Sequence, residues 1–220
     1  MYAKICIFNL MNTTKITAII LAGGKSSRFG ADKTTLPWGN RLIIHHLVEV
    51  CNNFADEVLI ISNQQNKFAI EGVREISDIF KEKGPLGGFH AGMEAARYDK
   101  IFFTACDMPL LNLELAQKLL AQLDHGAEAA IPRHGERTEP LFSAILRPAA
   151  LSTATTMLQQ DNRRLMDFFR QLNTSYVECQ EEDFQFNLNR QEDYQAFLAA
   201  TTNHSSGCNK DKQDSKGVTQ

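Results

Sequence analysis

Apolar residues fall along this chain in two alternating patterns. Compact β-branched or aromatic runs (residues 17–21, 57–62, 100–105) read as strands buried on both faces. Between them lie stretches in which apolar residues recur three and four positions apart, as a helix covering a core demands. The pattern predicts strands over 17–21, 57–62, 72–76, 100–105, 127–132, 141–146 and 175–178. It predicts helices over 42–50, 87–97, 113–123, 149–158, 163–172 and 191–200. From Thr201 onward the chain is polar and nearly free of apolar residues, so 201–220 is expected to be a disordered tail.

Strands alternating with helices at this spacing imply βαβ units. The expected fold is therefore α/β: one Rossmann-like three-layer domain over 15–200, with a mostly parallel sheet and helices on both faces. In such sheets ligands bind beyond the carboxyl ends of the strands. Gly23-Gly24, Asp78 and Asp107 each lie at or just after a predicted strand end, so they are expected to gather along one sheet edge.

Composition narrows the options. The 220 residues are 43% hydrophobic and 22% charged, enough for a soluble core. Net charge is −3, with Lys+Arg 23 against Asp+Glu 26, which argues against a nucleic-acid partner. Cys6, Cys51, Cys106, Cys179 and Cys208 are scattered without zinc or redox spacing and fit a reducing compartment. No apolar run approaches a membrane span, and the patch at 5–8 is too short for a signal-peptide core. A cytoplasmic protein without membrane contact is expected. Met11 opens Met-Asn-Thr-Thr-Lys, which also reads as a natural start, so residues 1–14 are expected to form an extension ahead of the domain.

The most informative stretch is Leu21-Ala22-Gly23-Gly24-Lys25-Ser26-Ser27-Arg28-Phe29-Gly30-Ala31-Asp32-Lys33. Glycines let backbone N–H groups converge on a ligand, and Arg28 and Lys33 add positive charge, one as a planar fork and one as a point charge. A strand, then glycines, then cations suits a triphosphate. A Walker A loop is excluded because Ile19 stands where its first glycine is needed. Glycines at 23, 24 and 30 do not fit the dinucleotide fingerprint either.

Leu-Ala-Gly-Gly-x-Ser-x-Arg-x-Gly-x-Asp-Lys resembles the signature of molybdenum cofactor guanylyltransferases, within the larger nucleotide-diphospho-sugar transferase type of fold. Gly23 and Asp32-Lys33 tilt the likeness toward the guanylyl branch rather than toward cytidylyl relatives. The resemblance implies transfer of GMP from GTP to the phosphate of Mo-molybdopterin, with Mg²⁺ as cofactor and pyrophosphate as by-product. It implies GTP and molybdopterin as ligands, with other cofactor-biosynthesis proteins and recipient molybdoenzymes as further partners. Leu21, Ala22, Gly23 and Gly24 would hold the nucleotide, and Lys33 its phosphates, with Arg28 beside it in a catalytic role. The rival readings are a cytidylyltransferase acting on the same pterin, another small-molecule nucleotidyltransferase of this fold, and a non-catalytic nucleotide-binding module.

Further matches extend the resemblance over about residues 15–200. Thr104-Ala105-Cys106-Asp107-Met108-Pro109 resembles the family's Pro-Cys-Asp-x-Pro, with Ala105 replacing a proline. Alone, Asp107 reads as a helix N-cap; beside a phosphate loop it reads as the Mg²⁺ carboxylate and a catalytic residue. Asp78, ahead of Gly84-Pro85-Leu86-Gly87-Gly88, resembles a nucleotide contact, and its competing reading is a turn cap. Gly87 and Gly88 are expected to allow close packing rather than chemistry. Where the family often has an asparagine after its second strand, this chain has Ile61, with Asn63 two residues on; Asn63 either reaches the nucleotide or simply ends the strand.

Gly135 to Leu141 resembles the loop and strand over the acceptor side, and Arg163-Arg164 resembles a helix with paired arginines that could receive the pterin phosphate or merely face solvent. Asn187 and Asn189, in Phe186-Asn187-Leu188-Asn189, resemble the closing Asn-x-Asn motif; they would bind pterin or order metal-bound water, against the alternative of a polar turn. His45-His46 lack a partner carboxylate or cysteine in pattern, and Trp38 reads as a turn or packing residue.

Overall fold

The structure, a computed structural model, describes residues 14–23, 33–64, 66–77, 83–181, 187–188 and 191–205. Among the described residues ten strands and six α-helices follow in the order β1 (Ile16–Leu21), β2 (Pro37–Trp38), β3 (Arg41–Leu42), α1 (Ile43–Asn52), β4 (Glu57–Ser62), β5 (Arg74–Ser77), α2 (Gly84–Ala95), β6 (Lys100–Ala105), α3 (Leu113–Asp124), β7 (Ala129–His134), β8 (Arg137–Thr138), β9 (Ser143–Leu146), α4 (Arg147–Gln159), α5 (Leu165–Arg170), β10 (Thr174–Glu178) and α6 (Gln191–Ser205).

The main sheet runs β10-β7-β9-β6-β1-β4-β5, with β8 added to β7. Neighbours are parallel except at β9, which is antiparallel to both β6 and β7, and at β8, which is antiparallel to β7. From β1 the chain moves outward to β4 and β5, then crosses back to place β6 on the other side of β1. The order therefore reverses between β1 and β6, which is where an open parallel sheet forms a crevice at its carboxyl edge.

Strands β1, β4 and β6 are buried along their whole length, as their largely apolar runs require. One core joins Ala18, Ile20 and Ile60 to Ile43, Ile44 and Leu47 of α1 and to Tyr194 and Phe197 of α6. The other joins Ile19, Leu59 and Phe103 to Phe89 of α2, Met157 of α4 and Phe168 of α5. Phe89 stacks flat on Phe103 at 3.9 Å between ring centroids. Gly92 makes room for this layer, since a Cβ there would lie 2.8 Å from Ile19 Cδ1.

Glu57 begins β4 with a buried carboxylate that four donors satisfy. It accepts from the Thr17 hydroxyl (2.9 Å), the Arg74 guanidinium (2.8 Å) and the Arg97 backbone N–H (2.8 Å), and Arg97 Nε lies 3.4 Å away. α3 is capped by Asn112, whose side chain accepts from the Leu115 N–H at 3.0 Å. Two residues past its end, Gly126 with a φ of +92° turns the chain back toward β7.

Several boundaries differ from expectation for physical reasons. α2 starts at Gly84 because Pro85 belongs in a first helical turn. Arg163 and Arg164 stand ahead of α5, which begins at Leu165, rather than on its face. α6 continues to Ser205, five residues into the stretch whose composition predicted no order; residues 206–220 lie outside the described residues. The β2–β3 hairpin and β8 were not foreseen, because two-residue strands carry no readable alternation. Trp38 in that hairpin does pack, edge-on to His46 at 3.9 Å and against Phe197 at 5.6 Å. Cys51, Cys106 and Cys179 are buried and form no disulfide. No helix among the described residues is long and apolar enough to cross a membrane.

Candidate active site

The loops leaving β1 and β6 at the switch point are bonded to each other. The Cys106 backbone N–H donates to the Leu21 carbonyl at 3.0 Å, and the Ala22 N–H donates to the Ile61 carbonyl at 2.8 Å. The sheet thus extends its hydrogen bonding one step past β1 on both sides and holds Leu21, Ala22 and Gly23 in line with Cys106-Asp107. Those bonds also restrict what the loop can offer a ligand. The Ala22 N–H is consumed, so backbone contacts fall to the Ala22 carbonyl, the Gly23 N–H and the spare lone pair of the Leu21 carbonyl.

The glycine at 23 stands against Asn63, since a Cβ there would lie 3.3 Å from Asn63 Oδ1. Asn63 therefore lies against the glycine loop despite sitting two residues past the place where the resemblance puts an asparagine. Ile61 is a buried core residue instead. The helix α2 packs over the same loop through Gly88, where a Cβ would come within 3.1 Å of Leu21 Cδ2 and 3.7 Å of Ile61 Cγ2. Close packing is what its lack of a side chain provides, as the sequence suggested.

Asp107 is half-buried one residue beyond the paired Cys106. The cap of α3 is Asn112, which removes the N-cap reading of Asp107. The Asp107 carbonyl accepts from the Leu188 N–H at 2.7 Å, so the closing segment 187–188 is laid directly on the β6 loop. The adjacent Asn187 side chain donates from Nδ2 to Glu139 Oε2 at 3.0 Å. Glu139 Oε1 accepts from the Leu141 backbone N–H at 3.3 Å.

Glu139 was not singled out in the sequence, where it appears only inside the 135–141 match. It is half-buried, and burial is the main cause that raises its carboxyl above the ordinary carboxylate range. The negative charge of Asp107 pushes the same way, while the Asn187 amide, the Leu141 N–H and Arg137 pull it back. That mutual influence places the two carboxylates in one electrostatic environment. The available signal in the sequence was an acid immediately before Pro140, which is weak on its own.

Lys33 opens a short 3-10 helix, Lys33–Thr35. The next residue, buried Thr34, accepts from Lys67 Nζ at 2.6 Å, which ties this end of the loop to the turn before β5. The Lys33 side chain, Gly24, Arg28, Asp78 and Asn189 lie outside the described residues. Arg163 and Arg164 are exposed, and Arg163 lies 3.6 Å from Asp161, which also holds Lys83 at the start of α2 at 2.5 Å. No group of three His, Cys, Asp or Glu side chains able to cage a metal exists among the described residues.

Comparison with known proteins agrees with this architecture. Residues 18–176 match the MobA-like NTP transferase domain. A probable molybdenum cofactor guanylyltransferase of Peptoclostridium acidaminophilum is 33% identical over 198 residues, covering 84% of this chain and 89% of that protein. A molybdenum cofactor guanylyltransferase of Syntrophotalea carbinolica is 34% identical over 189 residues, covering 82% of this chain and 90% of that protein. The crystal structure of molybdopterin-guanine dinucleotide biosynthesis protein A from Archaeoglobus fulgidus superposes with a TM-score of 0.71 at 22% identity, covering 85% of this chain and 99% of that one. With the reversed strand order, the bonded β1 and β6 loops and these matches over most of its length, the chain belongs to the MobA-like NTP transferase family, together with the molybdenum cofactor guanylyltransferases.

Proposed function

We propose that the protein transfers GMP from GTP to the terminal phosphate of Mo-molybdopterin, giving the guanine dinucleotide form of the cofactor and pyrophosphate. The observation that carries this reading is the bonded pair of loops at the switch point, Leu21-Ala22-Gly23 beside Cys106-Asp107, in a chain about a third identical to guanylyltransferases.

In this reading an oxygen of the pterin phosphate attacks the α-phosphorus of GTP. A new P–O bond forms, the bond from the α-phosphorus to the β-bridging oxygen breaks, and pyrophosphate leaves with that electron pair. The attacking oxygen is already anionic, so the residues act by positioning and charge compensation rather than by removing a proton. Leu21, Ala22, Gly23 and Gly24 line the nucleotide, and Asp78 contacts it. Lys33 and Arg28 meet the phosphates, and Asn187 and Asn189 close the site over the acceptor.

The donor set fits a magnesium ion. Mg²⁺ is held by one or two carboxylates with phosphate oxygens and water filling the rest, rather than by a protein cage. Asp107 would hold it, and the second carboxylate at Glu139 deepens the negative field there. When bound, the ion supplies charge neutralisation at the phosphates. The reaction is assigned to the cytoplasm, with recipient molybdoenzymes and other cofactor-biosynthesis proteins taking the product onward.

The test is pyrophosphate release by the purified protein with Mg²⁺ and molybdopterin, comparing GTP, CTP and ATP. Release with GTP alone is expected. Preference for CTP would move the protein to cytidylyl transfer, and no release with any nucleotide and active acceptor would leave a binding module.

A further inference from the structure

The β8–β9 connection reaches the site through one side chain. Glu139 spends its two carboxylate oxygens on different parts of the chain: Oε1 on the Leu141 N–H of its own loop at 3.3 Å, and Oε2 on the Asn187 amide at 3.0 Å. Its backbone is fixed as well, since the Glu139 carbonyl accepts from the Phe142 N–H at 3.1 Å and the Glu139 N–H donates to the Pro132 carbonyl at 3.4 Å. A carboxylate only accepts, so the Asn187 amide must present its nitrogen to Glu139 and keep its carbonyl oxygen on the other branch. One residue further on, Leu188 is bonded to the Asp107 carbonyl. The path therefore runs from the β7–β8–β9 region through Glu139 and Asn187 to the residue proposed to hold the metal.

We propose that Glu139 is a positioning residue: it fixes the orientation of the Asn187 amide and so locks the closing segment 187–188 onto the Asp107 loop. This rests on the assignment of the Asp107 loop as the site of nucleotidyl transfer. An exposed glutamate that served only solubility would have neither a half-buried carboxylate nor a bond to a segment 48 residues distant. The role makes a specific demand on chemistry. Glutamine retains a carbonyl oxygen that can accept from Asn187, whereas alanine retains nothing.

The experiment compares the full chain with Glu139→Gln, Glu139→Ala, Asn187→Ala and the Glu139→Ala/Asn187→Ala double variant. Turnover is measured with GTP, Mg²⁺ and molybdopterin, and backbone amide hydrogen exchange is followed at Leu188. Glu139→Ala is expected to lower kcat about tenfold with the KM for GTP within about twofold. Glu139→Gln should recover most of that loss, and the double variant should be no slower than Asn187→Ala alone, because the two side chains act as a unit. The Leu188 amide should exchange about tenfold faster in Glu139→Ala than in the unaltered protein.

Multiplicative losses in the double variant, a glutamine variant as slow as the alanine one, or unchanged exchange at Leu188 would each overturn the inference. A wild-type protein without turnover would sink the assignment of the reaction instead, and the Leu188 exchange would still decide whether Glu139 holds the closing segment.

Discussion

Cys106, one step past the end of β6, donates its backbone N–H across 3.0 Å to the carbonyl of Leu21, the last residue of β1. The bond continues the β1–β6 ladder, which sets the glycine loop beside the aspartate loop and fixes their separation by sheet geometry rather than by side chains.

Asp107→Asn tests the charge at this junction. The substitution keeps size and leaves the Asp107 carbonyl free to accept from Leu188, so folding should be unaffected. Losing the carboxylate should cost about 3 kcal/mol of transition-state stabilisation, or about a hundredfold in kcat. Steady-state kinetics beside a melting curve measures both, and near-normal turnover in a folded variant would contradict the assignment.

Two glycines of α2 should behave differently when replaced by alanine. At Gly92 the new methyl would lie 2.8 and 3.0 Å from two carbons of fully buried Ile19 and 3.3 Å from Phe103, with no room to yield. Gly92→Ala should destabilise by about 2 kcal/mol, lowering Tm by about 6 °C. At Gly88 the nearest atom is the end of the Leu21 side chain at 3.1 Å, which can move by a few tenths of an ångström. Gly88→Ala should leave Tm nearly unchanged and raise the KM for GTP, because Leu21 borders the proposed nucleotide site. A Tm loss at Gly88 equal to that at Gly92 would show that the loop is as rigid as the core.

His46 makes stability depend on acidity. Burial beside Trp38, reinforced by the neighbouring Arg41 charge and partly opposed by Glu49, lowers its pKa from 6.5 to about 4. The native state therefore favours neutral imidazole, and between pH 6.5 and about 4 the unfolded chain binds more protons than the folded one. The stabilisation is present in full above pH 6.5 and declines as the pH falls through that window. His46→Gln should flatten this part of the Tm–pH curve, and a curve of unchanged slope would mean that another group controls it.

Glu57→Ala removes the acceptor of the Thr17 hydroxyl and the Arg97 backbone N–H at the start of β4. Leaving the buried Thr17 hydroxyl and the part-buried Arg97 N–H without their acceptor should cost about 2 kcal/mol. Denaturant titration gives the change, and a neutral result would mean that water replaces the carboxylate.

The sequence by itself determined the strands and helices with strong periodicity. Runs such as 57–62 and 100–105 can be satisfied only by full burial, and they form β4 and β6 with those same limits. It also determined which loops bear chemistry, because a glycine loop and an aspartate placed after buried strands must emerge at one edge of a parallel sheet. The tertiary structure decided what depends on contacts between distant residues. β9 enters antiparallel between β6 and β7, and no local pattern states a strand's direction. Asn112 rather than Asp107 caps α3, a choice set by where the helix begins. Asn63 packs against Gly23, and Glu139 bonds Asn187, only because the sheet and the closing segment bring them together. Periodicity reports what a residue must be buried from, whereas pairing between side chains is settled by a geometry that exists only after the sheet has formed.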